Sequence, residues 1–175
     1  MTAPETIDAT ITRIGAEGDG IAETAVGRIY VPLTLKSDRL RVRIGAKRGD
    51  GHLAQVEEWI ERAPGRVDPP CAHFGDCGGC AAQHLGPVPY AEWKRELVVE
   101  ALARRGLAEA PVAQLLLTAP GGRRRAEFAA QRTQTGVALG FHARRSGQIC
   151  ALTSCLVLRP PLLVLLPALR VALDA

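Results

Sequence analysis

Arg39-Leu40-Arg41-Val42-Arg43-Ile44 alternates strictly between basic and apolar side chains. Successive side chains of a strand point to opposite faces, so a strand here sends Leu40, Val42 and Ile44 into a core and leaves three arginines on the other face. Upstream, Ile7 to Ile14, Ile21 to Ala25 and Arg28-Ile-Tyr-Val-Pro32 are short apolar runs separated by glycine-rich turns. Downstream, Gly45 to Gly51 reads as a hairpin loop and His52 to Glu58 as the returning strand. Short strands at this spacing predict a small β-barrel, and barrels with a basic face commonly serve as platforms for single-stranded nucleic acid. Gly15-x-x-Gly18-x-Gly20 lies between two of the strands with no helix after it, so it reads as a turn and not as a nucleotide-binding loop.

Ala63-Pro-Gly-Arg-Val-Asp-Pro-Pro70 is a proline-rich connector and the expected domain boundary, dividing the chain into residues 1–62 and 63–175. Beyond it, Pro89 precedes Tyr90, Trp93, Leu97 and Ala101 at helical spacing, and Gly106 closes the segment, which predicts an amphipathic helix over 90–105. Antiparallel strands are expected over Arg124 to Arg132 and Val137 to Ala143, with a third from Gln148 to Thr153. Pro161 to Ala175 reads as a final helix. The fold class is therefore mainly β with α, a barrel followed by a cysteine loop, a helix and a small antiparallel sheet.

Three of the five cysteines fall in Cys71-Ala-His-Phe-Gly-Asp-Cys77-Gly-Gly-Cys80. Glycines let such a loop aim several sulfurs at one centre, and thiolates select zinc or iron–sulfur clusters, both of which normally take four protein ligands. The fourth is expected from Cys150 or Cys155. Buried structural thiols rarely cluster around a Cys-Gly-Gly-Cys turn. Disulfides fit neither the odd count nor a reducing compartment, and no thioredoxin-like pattern surrounds Cys77 and Cys80. The spacing allows either metal chemistry. It departs from the Cys-x3-Cys-x2-Cys of radical S-adenosylmethionine enzymes, which leave one iron open.

Composition bounds the rest. With 175 residues, 47% apolar, the chain can bury one core or two small ones. The start, Met1-Thr-Ala-Pro-Glu-Thr-Ile-Asp8, has acidic residues and no apolar core of a signal peptide, so a cytoplasmic location is expected. Leu156 to Leu173 is interrupted by Arg159, Pro160, Pro161, Pro167 and Arg170, which argues for a packing helix and against a membrane span. The net charge of +4 is modest but unevenly placed. Residues 36–48 and 121–145 are each about five charges positive. Arg39, Arg41, Arg43, Arg123, Arg124, Arg125 and Arg132 are the candidate phosphate contacts. Trp59 and Trp93 read as core residues, and His52, His84 and His142 as structural; His73 and Phe74 could meet RNA or pack within the loop.

The run from Cys71 to Cys80, continued by Ala-Ala-Gln83-His84-Leu85 and then Tyr90 and Lys94, resembles the iron–sulfur segment of bacterial S-adenosylmethionine-dependent RNA uracil-5-methyltransferases. Residues 5–60 resemble the OB-like TRAM barrel that opens these enzymes. Gly122-Arg-Arg-Arg-Ala-Glu-Phe128 and Leu139-Gly-Phe-His-Ala-Arg-Arg-Ser146 are similar to their central RNA-contacting sheet. The resemblance implies a closed 4Fe-4S cluster, with zinc as the alternative, held by Cys71, Cys77, Cys80 and Cys155. Ser154-Cys155-Leu-Val-Leu158 matches the family's fourth-ligand element with Leu156 in place of proline, while Cys150 matches no ligand and is expected to be a small apolar residue. Ala72 and Ala81 also depart from the usual residues without removing a sulfur.

The same resemblance implies structured RNA, rRNA or tRNA, as partner, with neither DNA nor membrane. In the full-length family a Rossmann-like domain binds S-adenosylmethionine, a cysteine attacks C6 of the target uracil, and a carboxylate removes the C5 proton. No strand, glycine loop and helix of that kind occurs in these 175 residues. The chain is accordingly expected to be the RNA-recognition and cluster-bearing portion of such an enzyme, as a truncated product, a fragment or a stand-alone remnant, with no catalytic residue of its own. The competing expectation is a zinc-stabilised interaction module that never touches RNA.

Overall fold

A computed structural model describes residues 5–174. Residues 1–4, which bear on the signal-segment reading, and Ala175, the last residue of the expected final helix, lie outside them. The chain forms two compact units, one built from residues up to Asp68 together with His84–Leu115, the other from Pro69–Gln83 together with the residues from Leu116 onward.

The first unit is a six-stranded sheet in the order β1-β5-β6-β4-β3-β2. Its strands are β1 (Thr6–Thr10), β2 (Arg13–Ile14), β3 (Gly20–Thr24), β4 (Gly27–Val31), β5 (Arg39–Arg48) and β6 (Gly51–Glu61). The two edge strands, β1 and β2, are separated by only Ile11 and Thr12, so the sheet has to curl until its edges meet. Those two residues seal the junction. Ile11 N–H donates to Asp38 O at 2.9 Å, and Thr12 N–H donates to Ile21 O at 2.9 Å. The strict alternation of β5 places Leu40 and Val42 in the core with Ile11, Ile29, Val31 and Ala54, while Arg39, Arg41 and Arg43 face outward. Each fully buried Leu or Val side chain contributes about 1.5–3 kcal/mol.

The β5–β6 connection is tighter than the expected loop over 45–51. β5 continues to Arg48 through a register shift between Ile44 and Lys47, leaving Gly49 and Asp50 as the turn. A bulge absorbs Gly45 and Ala46 into the strand, and Gly49 adopts the φ of +56° that a two-residue hairpin turn needs. The Gly15–Gly20 segment is a turn, with Gly15 N–H on Asp19 O and Gly18 at φ +83°. A Cβ on Gly20 would fall 2.0 Å from Thr34 Oγ1, which explains why only glycine fits there.

Helix α1 (Pro87–Ala103) belongs to this unit. Two prolines in its first turn suit positions whose N–H groups have no partner within the helix. Trp93 is buried and its Nε1–H donates to Gly15 O at 3.1 Å, tying the helix to the turn before β3. Gly106, at φ +78°, turns the chain out of the helix, and Leu107 N–H returns to Leu102 O.

The second unit holds a three-stranded antiparallel sheet, β7 (Ala129–Thr133), β8 (Gly136–His142) and β9 (Ile149–Ala151), with helix α2 (Pro160–Asp174). The first expected strand is shorter than its sequence pattern suggested. Arg123 is linked only by an isolated parallel bridge to Leu158, and regular pairing begins at Ala129. Leu139, Leu152, Leu158 and Leu166 form the core, with Cys77 among them and Phe128 and Phe141 packed alongside.

Candidate metal centre and nucleic-acid surface

The cysteine loop is folded by its own backbone and by β8. Phe74 N–H donates to Cys71 O, and Cys77 N–H donates to His73 O, making two consecutive tight turns with Gly75 at φ +102°. Gly78 N–H then donates to His142 O at 2.9 Å, while Arg144 N–H donates to Asp76 O at 2.8 Å. The Cys77 segment thereby pairs with Ala143 as an isolated antiparallel bridge. Gly78 allows this approach because a Cβ there would lie 2.7 Å from His142 O.

The chain around residues 153–155 is fixed to the same loop by His73. Its Nε2 accepts the Thr153 N–H at 3.3 Å and lies 3.0 Å from Thr153 Oγ1. His73 therefore has a structural role, joining the two stretches that carry the sulfurs. Cys71, Cys77, Cys80 and Cys155 line one cavity of about 10 Å3 together with His73, Phe74, Gln83, Phe141 and Leu152. This is about the room of one water molecule. All five cysteines are free thiols.

Cys150 stands at the edge of this arrangement. It is half-buried, packs against the core that contains Cys77, and its sulfur lies 3.8 Å from His73 Nδ1. Its surroundings are thus more polar than those of a merely apolar filler.

Burial pushes the Cys77 thiol above its ordinary 9.0, opposed by the Gly79 N–H on its sulfur and reinforced by Cys150. Burial also pushes the Cys80 thiol up, opposed by the Gln83 hydrogen bond and the positive charge of Arg123. A metal binding here must displace those protons, because the thiolate is the ligand. The donor set suits soft metal chemistry: four sulfurs, an apolar wall and a nearby guanidinium. Among the described residues, no group of three or more His, Cys, Asp and Glu side chains is arranged to hold a single metal ion.

The arginine stripe of β5 is not electrostatically open. Arg39 pairs with Glu61 at 3.4 Å, Arg41 with Asp8 at 2.9 Å and with Glu58 at 2.7 Å, and Arg43 with Glu57 at 3.4 Å. Arg43 also donates to Gln55 Oε1 at 3.0 Å. The partners come from the neighbouring strands β1 and β6, where the register sets Arg41 opposite both Asp8 and Glu58, and Arg39 opposite Glu61. The signal in the sequence was the acidic run Glu57-Glu58 and Glu61, readable once the strand pairing is known.

In the second unit, Arg123, Arg124 and Arg125 are exposed, and no ion pair to them is found among the described residues. Arg132 is exposed and spends one N–H on Leu173 O at 3.2 Å. A wider open cavity of about 710 Å3 lies on this unit, lined by Gly78, Gly79, Phe128, Phe141, His142 and Arg145 among others. It combines two aromatic rings, 5.5 Å apart, with Arg145, His142 and the carboxylate of Glu127 next to the cysteine loop. Sequence alone does not single out these aromatics, because only the fold brings β8 beside Phe128. Of the other histidines, His84 is buried, with Nε2 3.3 Å from Thr34 O, and His52 Nδ1 lies 3.4 Å from Gly45 O.

No protein-family model matches the chain. Its relatives are RNA methyltransferases. It is 44% identical over 170 residues to an uncharacterized RNA methyltransferase of Brucella suis biovar 1 (strain 1330), covering 97% of this chain and 40% of that protein. It is 38% identical over 164 residues to the 23S rRNA (uracil(1939)-C(5))-methyltransferase RlmD of Halomonas elongata, covering 91% of this chain and 34% of that one. Among solved structures it is similar to the tRNA (uracil-54, C5)-methyltransferase of Pyrococcus abyssi, crystallised with S-adenosyl-L-homocysteine. The TM-score is 0.58 at 21% identity, over 93% of this chain and 35% of the other. That likeness establishes the fold. The chain spans about two fifths of the length of the curated relatives it matches, and the matching part is their amino-terminal portion. Among the described residues, no helix is long and apolar enough to cross a membrane.

Proposed function

We propose that this chain, homologous to the amino-terminal portion of RNA methyltransferases that include RlmD, is the RNA-recognition and cluster-bearing part of an RNA uracil-5-methyltransferase. The observation that carries the reading is the meeting of Cys71, Cys77, Cys80 and Cys155 around one cavity, although Cys155 is separated from the loop by a helix and three strands. Those four thiolates would hold a 4Fe-4S cluster that closes all four ligand positions. When bound, such a group supplies a rigid cross-link and no turnover. The chain's own residues do the rest. His73 holds the Thr153 backbone, Gly78 lets the loop seat against β8, and Arg123 partly offsets the negative charge that thiolates introduce near Cys80.

RNA contact falls on the second unit in this reading. Arg123, Arg124 and Arg125 are exposed, and the charge of Arg123 reaches Cys80, so phosphate oxygens can meet them near the loop. The β5 stripe contributes less, because each of its guanidiniums already has an acidic partner. The substrate class is structured rRNA or tRNA, and methyl transfer from S-adenosylmethionine resides in the longer proteins. The TRAM-like role of the barrel is then to support and orient RNA.

Purification without oxygen tests the cluster: brown protein with iron and sulfide in equal amounts is expected, and colourless protein carrying one zinc would overturn it. For the RNA reading, affinity for an rRNA fragment should fall steeply with salt. The neutralised β5 stripe favours a second reading for the barrel, a protein-interaction module that leaves RNA alone, and salt-independent or absent RNA binding would support it.

A further inference from the structure

Gln83 lies just beyond the last cysteine of the sulfur loop and lines the same cavity as Cys71, Cys77, Cys80 and Cys155. The two ends of its amide are treated differently. Oε1 is buried and has no hydrogen-bond partner among the described residues, while the side chain hydrogen-bonds the Cys80 sulfur. That bond favours the thiolate over the thiol, so it is Nε2–H that donates to sulfur. A buried amide oxygen without a donor is costly, and native structures rarely contain one. An apolar side chain of similar size would pack against Phe141, Leu152 and Val157 without stranding an oxygen. What the amide adds, and an apolar side chain would not, is the N–H.

We infer that Gln83 is a positioning residue for the metal centre: its amide N–H holds the Cys80 sulfur at the cavity and makes a cluster bound there easier to reduce. Reduction adds negative charge, which a donor on a ligand sulfur stabilises, and hydrogen bonds to the sulfurs are among the levers that set a cluster's potential. Cys77 takes its donor from the backbone, with Gly79 N at 3.4 Å from Sγ. That donor is present whichever side chain surrounds it, whereas the one at Cys80 depends on a single residue. Arg123 adds positive charge near Cys80, but it is exposed and therefore screened by water and salt. The Gln83 amide faces a cavity walled by apolar side chains, where a hydrogen bond is stronger. The inference rests on the cluster reading and adds to it a residue that supplies no sulfur.

The test titrates the full chain, reconstituted anaerobically with iron and sulfide, with dithionite and follows its visible absorption. Gln83→Met is the first variant, because it nearly conserves volume and removes only the amide. Its midpoint potential is expected to fall by about 59 mV, a tenfold change in the one-electron equilibrium. The metal-free variant should melt at the same temperature as the unmodified chain or higher, since no buried oxygen is left stranded. A packing role alone would leave the potential where it was, so equal potentials overturn the inference while the cluster stands. An unmodified chain that takes up no iron overturns the cluster reading and this inference with it. A methionine variant that melts normally yet retains no iron supports the inference. Should the variant fail to fold, Gln83→Glu decides, because it keeps the shape and replaces the donor with an acceptor: a lower potential is expected, and an unchanged one overturns the inference.

Discussion

Asp38 and Arg66 form a buried ion pair at 2.7 Å between the start of β5 and the proline-rich connector. Asp38 is fully buried and both of its carboxylate oxygens are engaged: Oδ2 takes the Leu35 N–H and the guanidinium, and Oδ1 takes the Ala63 N–H. Arg66 in turn donates to Leu33 O and lies 4.6 Å over the Trp59 ring. A segment that reads as a proline-rich connector is thus fastened to the barrel at Ala63 and again at Arg66. Removing one partner of such a pair leaves an uncompensated buried charge or orphaned donors, at a cost of about 3–5 kcal/mol. Asp38→Ala is expected to lose that much in urea unfolding, and a loss below about 1 kcal/mol would show that water replaces the carboxylate there.

The β5–β6 turn supplies a pH prediction. The Tyr30 hydroxyl donates to Asp50 and holds its carboxylate below the ordinary 3.8; burial opposes this, and Arg28, paired with the same carboxylate, adds a lesser lowering. A carboxylate depressed in the folded state stabilises the fold at neutral pH, and that contribution disappears as pH falls through the depressed value. In an NMR titration the Asp50 midpoint should lie below 3.8 and rise toward it in Tyr30→Phe. An unchanged midpoint in the variant would assign the shift to Arg28 alone.

The fourth sulfur can be identified by substitution. Cys155 lines the cavity with the three loop cysteines, while Cys150 contacts Cys77 and His73 from outside that lining. Cys155→Ser is expected to abolish the visible absorption of anaerobically reconstituted protein, and Cys150→Ser to retain most of it. The opposite pattern would make Cys150 the ligand.

Much of this is legible in the sequence. Alternation in Arg39–Ile44 places Leu40 and Val42 in a core because a two-residue period admits only one partition of faces. The helix around Trp93 follows from apolar spacing and its flanking prolines and glycine. Charge is harder to read. A run of arginines looks like a free basic surface in one dimension, whereas cross-strand register decides whether Asp8, Glu58 and Glu61 stand opposite it. The role of His73 is equally hidden, since its partner Thr153 lies eighty residues away.

The two arginine groups should therefore respond differently to charge reversal. Replacing Arg123, Arg124 and Arg125 by Glu removes exposed cations, and each phosphate that goes unneutralised lowers the slope of log affinity against log salt by about 0.7–0.9. Replacing Arg39, Arg41 and Arg43 by Glu sets them against Asp8, Glu57, Glu58 and Glu61, so the main expected effect is loss of barrel stability. Surface pairs contribute only about 0–1 kcal/mol each, but like charges brought face to face across strands repel. Filter binding across a salt series, alongside melting curves, separates the two. Equal loss of affinity at unchanged stability in the β5 variant would restore that stripe as an RNA surface.

Gly78 offers a way to disable the sulfur loop without altering any sulfur. Its N–H bonds to His142 O, and its missing side chain is what permits the approach, since a Cβ would sit 2.7 Å from that oxygen. Gly78→Ala must push the loop off β8, breaking the Cys77–Ala143 bridge and displacing Cys77 and Cys80 relative to Cys155. Iron retention should fall sharply. The barrel, whose core is made by residues of the other unit, should melt as before. Gly27 is the control, because its side chain would meet nothing within 4 Å and only its φ of +98° opposes substitution. If Gly78→Ala binds iron as well as the unmodified chain, the loop does not depend on its seat against β8, and the structural part of the cluster proposal fails with it.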